Sequence, residues 1–393
     1  MENARKKVLV LNPYYLPGFR FGGPEQSVIN LCDAYRDRAD IYLLTQNHEY
    51  QEDTPYEGIP ANEWLSRDGI HIQYMDQKSY GFQGIKKVYS RFDTALTCGL
   101  FEINTVTLLL IHRFFHKKGQ TLYVAPMGVF SQGALNHKGF KKRAFLKLMG
   151  LLGCFKNIRW CFSSPLEREE ARGALGERAM HRNDVIAEDL PRSADFDQAL
   201  RRIQTEERPE GEIKIAFLSR IVPKKNLSQC AEILSLVPGD KSGITFHIYG
   251  VAEDQAYWQS CQSAFQSAGV SGITKEMGAV RPENVIATLQ NYDCFLFPTL
   301  GENYGHVIYE ALAAGCAVIL SDQTPWQDLS QQGCGFVLPL KNSQAFADAI
   351  SSLLGGGRKE INRYRENAVL YARKKYRAAL AESGYDRIFI DQD

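Results

Sequence analysis

The sequence predicts an α/β chain folded as two doubly wound parallel sheets, and three observations lead there. Short runs of β-branched and aromatic residues bounded by turn residues alternate with amphipathic helical stretches. A polar, strand-poor passage at 188–211 interrupts that alternation, which then restarts. The chain has 393 residues, room for two or three domains of ordinary size. Hydrophobic residues make up 44% and charged residues 23%, which excludes collagen-like, disordered and disulfide-scaffold classes.

Taken in order, KVLVL at 7–11, DIYLLT at 40–45, IHIQYM at 70–75, TLYVA at 121–125 and IRWCFS at 158–163 read as buried parallel strands. Between the first two, residues 24–38 place Val28, Leu31, Cys32 and Tyr35 on one helical face, with Pro24 suited to the first turn. The second series is IKIAFLS at 213–219, ITFHIYG at 244–250, DCFLFP at 293–298, AVILS at 317–321 and GFVLP at 335–339. The expected division is a first domain at 1–187, a linker at 188–211 and a second domain at 212–365. A charged C-terminal helix at 366–393 is expected to pack back on the first domain. Such sheets bind ligands outside the carboxyl ends of their strands, so the expected site is a cleft between the domains.

Other classes fall away. The apolar stretch before Asn12 is too short for the core of a secretory signal, and neither TVTLLLI at 105–111 nor AFLKLMGLLGCF at 144–155 reaches the roughly 18 apolar residues that spanning requires. Nine cysteines without any C-x-x-C suit reduced thiols, so a cytoplasmic location is expected. Lys plus Arg number 46 against 45 Asp plus Glu, and no nucleic-acid module is visible, so nucleic acid is not expected as a partner. His112 and His116 stand at a spacing that suits zinc, but no third ligand is nearby and a basic helix face explains them as well.

Two clusters carry chemistry. Strand CFLFPT leads into Gly301, Glu302, Asn303, Tyr304 and Gly305, then into the helical pattern HVIYEALAAG. A helix start of this kind favours an anion, most simply a phosphate, near Asn303 to His306, and Glu302 beside it is placed to receive hydroxyl groups. Glu310 follows about two turns along and can face the same ligand, although a helix-capping Glu302 with a solvated Glu310 explains an isolated pair equally well. The second cluster is FLSRIVPKKNL, where Arg220 closes a strand and Lys225 follows five residues later. A planar fork of donors and a compact positive charge together suit a diphosphate whose negative charge grows as it departs.

These residues resemble glycosyltransferase family 4, retaining nucleotide-sugar enzymes of the GT-B fold. Four matches in order carry the resemblance: Gly22-Gly23-x-Glu25, the Arg220 to Lys225 spacing, Met277-Gly278-Ala279-Val280, and GENYGHVIYEALAAGCAVILSD at 301–322. It runs from the first strand to about residue 340, dense in the second half and thinner in the first. The resemblance implies two Rossmann-like domains facing across a cleft, the first binding the acceptor and the second the nucleotide sugar. By it, Arg220 and Lys225 hold the donor diphosphate, Glu302 contacts the sugar hydroxyls, and Glu310 accepts hydrogen bonds from the ribose. Asn303, Tyr304 and Gly305 offer backbone donors, while Gly22 and Gly23 let the first domain approach the same phosphates. No metal or other cofactor is expected.

The sequence departs from the family at three places. Ser219 and Asn226 stand where glycines are common, the second a mild change because Asn tolerates left-handed backbone. Met127-Gly128 occupies the region where many members have a histidine, so no catalytic base is named there. SSPLEREEAR at 163–172 resembles a family segment near the cleft, and a helix capped by Ser164 explains it equally well.

Residues 84–159 hold thirteen Lys or Arg, including Lys138, Lys141, Lys142, Arg143 and Lys147, against Asp93 and Glu102 alone, a net of +11. Phe114, Phe115, Phe140, Phe145 and Leu148 are interleaved, a combination suited to anionic lipid headgroups. The expectation is a retaining hexosyltransferase moving sugar from a nucleoside diphosphate sugar to a glycan or polyprenyl-diphosphate-linked acceptor. Its setting would be cell-surface polysaccharide synthesis of the lipopolysaccharide, O-antigen or capsule type, with peripheral contact on the inner face of the membrane. A nucleotide-sugar epimerase and a non-catalytic nucleotide-sugar-binding protein stay open on the same fold.

Overall fold

The computed structural model of the protein describes residues 5–130 and 139–391. The chain divides into two units, Met1–Leu190 with Ala379–Asp393, and Pro191–Ala378.

In the first unit the strands are β1 (Lys7–Leu11), β2 (Asp40–Gln46), β3 (Trp64–Arg67), β4 (Ile70–Met75), β5 (Thr94–Cys98), β6 (Thr121–Ala125), β7 (Arg159–Phe162) and β8 (Val185–Ile186). They form one sheet in the order β3-β4-β2-β1-β5-β6-β7-β8. All neighbours pair in parallel except β3 and β4, a hairpin whose turn residues Asp68 and Gly69 take φ of 51° and 82°. Val8 and Val10 of β1 pack into one core cluster and Leu9 and Leu11 into the other, so both faces are covered and the strand reads as a continuous apolar run. The strand order reverses between β1 and β5, which puts the loop after β1 at the switch point. The returning segment is held by Ile388 and Phe389, both fully buried, and by the Tyr35 hydroxyl donating to Asp386 at 2.5 Å.

The second unit contributes β9 (Ile213–Leu218), β10 (Ile244–Tyr249), β11 (Thr274–Gly278), β12 (Cys294–Phe297), β13 (Ala317–Ser321) and β14 (Gly335–Leu338), ordered β11-β10-β9-β12-β13-β14 and parallel throughout. Its amino-terminal edge is tied by Asp293, just before β12 and 1% exposed. That carboxylate accepts from Arg208 at 2.8 Å, Arg358 at 2.6 Å and the Lys214 amide at 2.9 Å. One buried charge so paired joins three separate segments, and removing it would strand two arginines.

Two expected boundaries need correction. The passage at 188–211 is no mere linker: the helix Phe196–Thr205, capped by Asp195, buries Ala199 and Ile203 against Val369 and belongs to the second unit. Its polar composition hid a stripe at positions 196, 199 and 203, which is helical spacing. The final long helix begins at Gly357 and runs to Ala381, across the expected boundary at 365. All nine cysteines are buried and unpaired. No helix among the described residues is long and apolar enough to cross a membrane.

Candidate functional site

The second unit's sheet reverses order between β9 and β12, and both predicted clusters sit just beyond the carboxyl ends of those neighbouring strands. Arg220 and Lys225 follow β9, and Glu302 follows β12. The two loops are stitched together by the Leu300 amide donating to the Lys224 carbonyl at 2.9 Å. Ser321 ties in β13 by donating to the Thr299 carbonyl at 2.6 Å. Asn226 has φ 58°, left-handed as its type allows, and donates from Nδ2 to the Pro298 carbonyl at 2.9 Å.

Within this frame Lys225 Nζ lies 2.6 Å from Glu302 Oε1, and the Thr299 hydroxyl donates to the same oxygen at 3.0 Å. Burial pushes the Lys225 ammonium below its usual range, Glu302 opposes that, and Lys224 and Arg220 add to it. The lysine therefore has a standing reason to take a second negative partner. Arg220 is more exposed and meets both carboxylate oxygens of Glu253 at 3.4 Å, a weak tether that leaves the guanidinium free to re-aim.

Gly305 opens the helix His306–Ala314 with φ 83°, a conformation that needs glycine. Tyr304 is fixed from outside by Trp326, whose indole N–H donates to its carbonyl at 2.6 Å. Asn303 stands exposed in the same loop. The helix also ends left-handed, at Gly315, where an added Cβ would lie 2.7 Å from Ile203, so the helix at 196–205 fixes its far end.

Glu310 is not in the Lys225–Glu302 pairing. It is 5% exposed, and its charged partner is Arg192, with Nη1 3.7 Å from Oε1. The same Arg192 nitrogen donates to the Pro282 carbonyl, in the loop after β11. Burial pushes the Glu310 carboxyl up to about 7, and Arg192 holds it from going higher. Arg192 lay in the stretch read as linker, and only its distance from Glu310 in space, not in sequence, reveals it.

In the first unit Gly22 has φ 81° and caps the helix Gly23–Tyr35, while a Cβ on Gly23 would meet nothing within 4 Å. Two acidic residues hold this loop. Glu49 accepts from the Phe19 amide at 2.8 Å, and Glu25 accepts from the Phe21 amide at 3.3 Å. Glu25 is buried, its Oε1 has no hydrogen-bond partner, and burial together with Glu49 pushes its carboxyl up to about 8. The Met127-Gly128 turn is left-handed at both residues, φ 63° and 76°. The segment at 163–172 does begin with the expected cap, Ser164 Oγ accepting from the Glu167 amide at 3.1 Å. It does something further: Glu167 accepts from the Gly128 amide at 2.5 Å and the Ser163 amide at 2.7 Å, fixing the turn where a histidine was sought.

The zinc alternative finds no support in the geometry of His112. Its Nδ1 meets the Tyr89 hydroxyl at 2.6 Å and its Nε2 the Asn157 carbonyl at 2.8 Å, so both nitrogens are engaged. Among the described residues no three His, Cys, Asp or Glu side chains gather as a metal ion would require.

Residues 200–374 match the family described as Glycosyl transferases group 1. That stretch is less than half of the chain. The matched stretch contains both clusters and the Asp293 junction. A curated relative, the phosphatidyl-myo-inositol mannosyltransferase of Mycobacterium leprae (strain TN), is 27% identical over 223 residues, 56% of this chain and 52% of that protein. The chain thus spans about half the length of that relative. Among solved structures, sucrose-phosphate synthase from Thermosynechococcus elongatus superposes with a TM-score of 0.69 at 13% identity, over 96% of this chain and 97% of that one. HepE of Anabaena in complex with UDP-glucose gives 0.66 at 16%, over 94% and 95%. WaaG, a glycosyltransferase involved in lipopolysaccharide biosynthesis, gives 0.63 at 13%, over 98% and 100%. At these identities the likeness is one of fold alone: two α/β units, each built on a parallel sheet, as in the GT-B glycosyltransferases.

Proposed function

We propose that the chain is a retaining hexosyltransferase of glycosyltransferase family 4 that takes its sugar from a nucleoside diphosphate sugar. The observation that carries this is the convergence of Arg220, Lys225 and Glu302 at the switch point of the second sheet, with Lys225 largely buried and paired to Glu302. HepE, whose fold the chain shares, was crystallised with UDP, glucose and UDP-glucose.

In this reading Arg220 and Lys225 hold the diphosphate, helped by the amides of Asn303 to Gly305. Glu302 receives the sugar hydroxyls and Glu310 the ribose hydroxyls. The bond between the anomeric carbon and the diphosphate oxygen breaks, and the acceptor oxygen bonds to that carbon on the same face. The acceptor proton passes to the departing phosphate oxygen, a route that asks nothing of Met127 or Gly128. The two cations meet the growing charge on the leaving group. Preorganised charge of this sort is worth about 10²–10³ in rate per donor.

For the acceptor we propose a glycan or a polyprenyl-diphosphate-linked sugar in cell-surface polysaccharide synthesis, reached from an anionic membrane face. Phe114, Phe115, Phe140 and Leu148 are all exposed among the cations of the first unit, Phe140 at 88%. Phe145 instead turns against Phe101, at 5.5 Å between ring centroids, and Lys138 lies outside the described residues. The likeness to WaaG and to the mannosyltransferase supports this reading of the acceptor.

The test is Glu302→Gln, which keeps the shape but removes the charge facing Lys225. Transfer from UDP-, GDP- or ADP-sugars should fall at least about 100-fold with folding unchanged. Unaltered turnover would remove Glu302 from the mechanism. Conversion of the sugar nucleotide without any acceptor would point to an epimerase instead.

A further inference from the structure

Between the helices Gly139–Leu151 and Pro165–Leu175 of the first unit runs a groove of ≈ 970 Å³. Its floor is apolar, with Phe130, Leu146 and Phe155 buried beneath it. Four cations, Arg143, Lys147, Lys156 and Arg178, line it against one carboxylate, Glu170. Lys156 closely precedes β7, whereas Gly22, Gly23 and Gly128 follow the carboxyl ends of β1 and β6. None of the residues assigned above to the donor lines the groove.

Two glycines face each other's helices here. Gly150 and Gly173 both line the groove in helical conformation, so no left-handed turn requires them. A Cβ on either would meet nothing within 4 Å, so no close packing within the protein requires them. Helical glycine gives up backbone entropy relative to alanine, and both positions leave open the space that a side chain would fill. Leu151 on the same wall is 78% exposed and Leu148 55%, an apolar rim beside cations.

We propose that this groove seats the phosphate-bearing headgroup and first methylenes of one anionic membrane lipid, anchoring the first unit to the bilayer away from the reaction. The proposal deepens the membrane-facing part of the function above and rests on it. Charge complementarity selects the occupant: four cations around an apolar floor match a phosphate joined to a chain, while Leu148 and Leu151 enter the interfacial layer. Electrostatic attraction alone would need neither the apolar floor nor the open glycines.

The experiment is co-sedimentation of the full chain with phosphatidylcholine vesicles containing phosphatidylglycerol, compared for wild type, Gly173→Ala and Gly173→Trp. The Trp variant fills the groove without altering any charge, and Gly150→Trp fills it from the facing helix should the first variant fail to fold. Wild type and the Ala variant should be retained, and the Trp variant should bind about tenfold more weakly, the loss of about two buried methylenes. Equal retention of wild type and a folded Trp variant overturns the groove and leaves surface charge as the membrane contact. If wild type itself is not retained, the membrane-facing reading fails and takes the groove with it, while sugar transfer to a soluble acceptor is unaffected.

Discussion

Replacing Arg192 by Met separates the two influences on Glu310. In the structure burial drives this carboxyl up to about 7, and Arg192, 3.7 Å away, pulls against it. Coulomb's law with an effective dielectric of about 20 puts two unit charges at this separation at about 4 kcal/mol. The arginine side chain is 22% exposed, and water entering in its place returns most of that, leaving about 1.4 kcal/mol. The direction follows from the proton. Without Arg192 the carboxyl goes higher still, and a protonated Glu310 is a poorer acceptor for ribose hydroxyls. Titration calorimetry with UDP, GDP and ADP should show wild-type affinity for the bound nucleotide weakening as pH falls below about 7. In Arg192→Met that break should move upward, with about a fivefold loss at about pH 7, approaching tenfold at lower pH, and near parity at about pH 9, where both carboxyls are charged. Arg192→Lys should restore most of the affinity. A variant whose pH profile coincides with wild type would refute the coupling. A loss of the same size at every pH would mean that Arg192 touches the nucleotide directly.

Three further outcomes are expected. Glu25 holds its proton to about 8 in the folded chain and to its usual 4.5 when unfolded, so the folded state binds more protons between those values and stability falls as pH rises through that window. Glu25→Gln should therefore raise the thermal midpoint at about pH 9, by about 2–4 kcal/mol of stability, and make no difference at about pH 4. Asp293→Ala leaves Arg208 and Arg358 buried without their shared carboxylate, and urea unfolding should show a loss of about 3–5 kcal/mol. Gly22→Ala forces a Cβ into φ 81°, at about 1–2 kcal/mol, and should lower the melting temperature accordingly.

How much was legible before folding can be argued from particular elements. KVLVL and AVILS announced themselves because both faces of a parallel strand are covered, and each then reads as an unbroken apolar run. TALTC, equally buried at every position as β5, did not, because Ala, Thr and Cys signal a strand only weakly. The helix at 196–205 was lost for the opposite reason: three inward residues among charged neighbours pass for a linker until Ile203 is seen against Gly315.

By itself the sequence determined the alternation that makes two doubly wound sheets and the residue types suited to a diphosphate. Only the tertiary structure decided which charges meet. Lys225 and Glu302 are 77 positions apart in the chain and 2.6 Å apart in space, because β9 and β12 are neighbours. Arg192 reaches Glu310 from a segment with no motif to mark it. Charge pairing depends on distance and burial, and sequence spacing sets both only within a single helix or turn; between strands they are set by the order in which the sheet is wound.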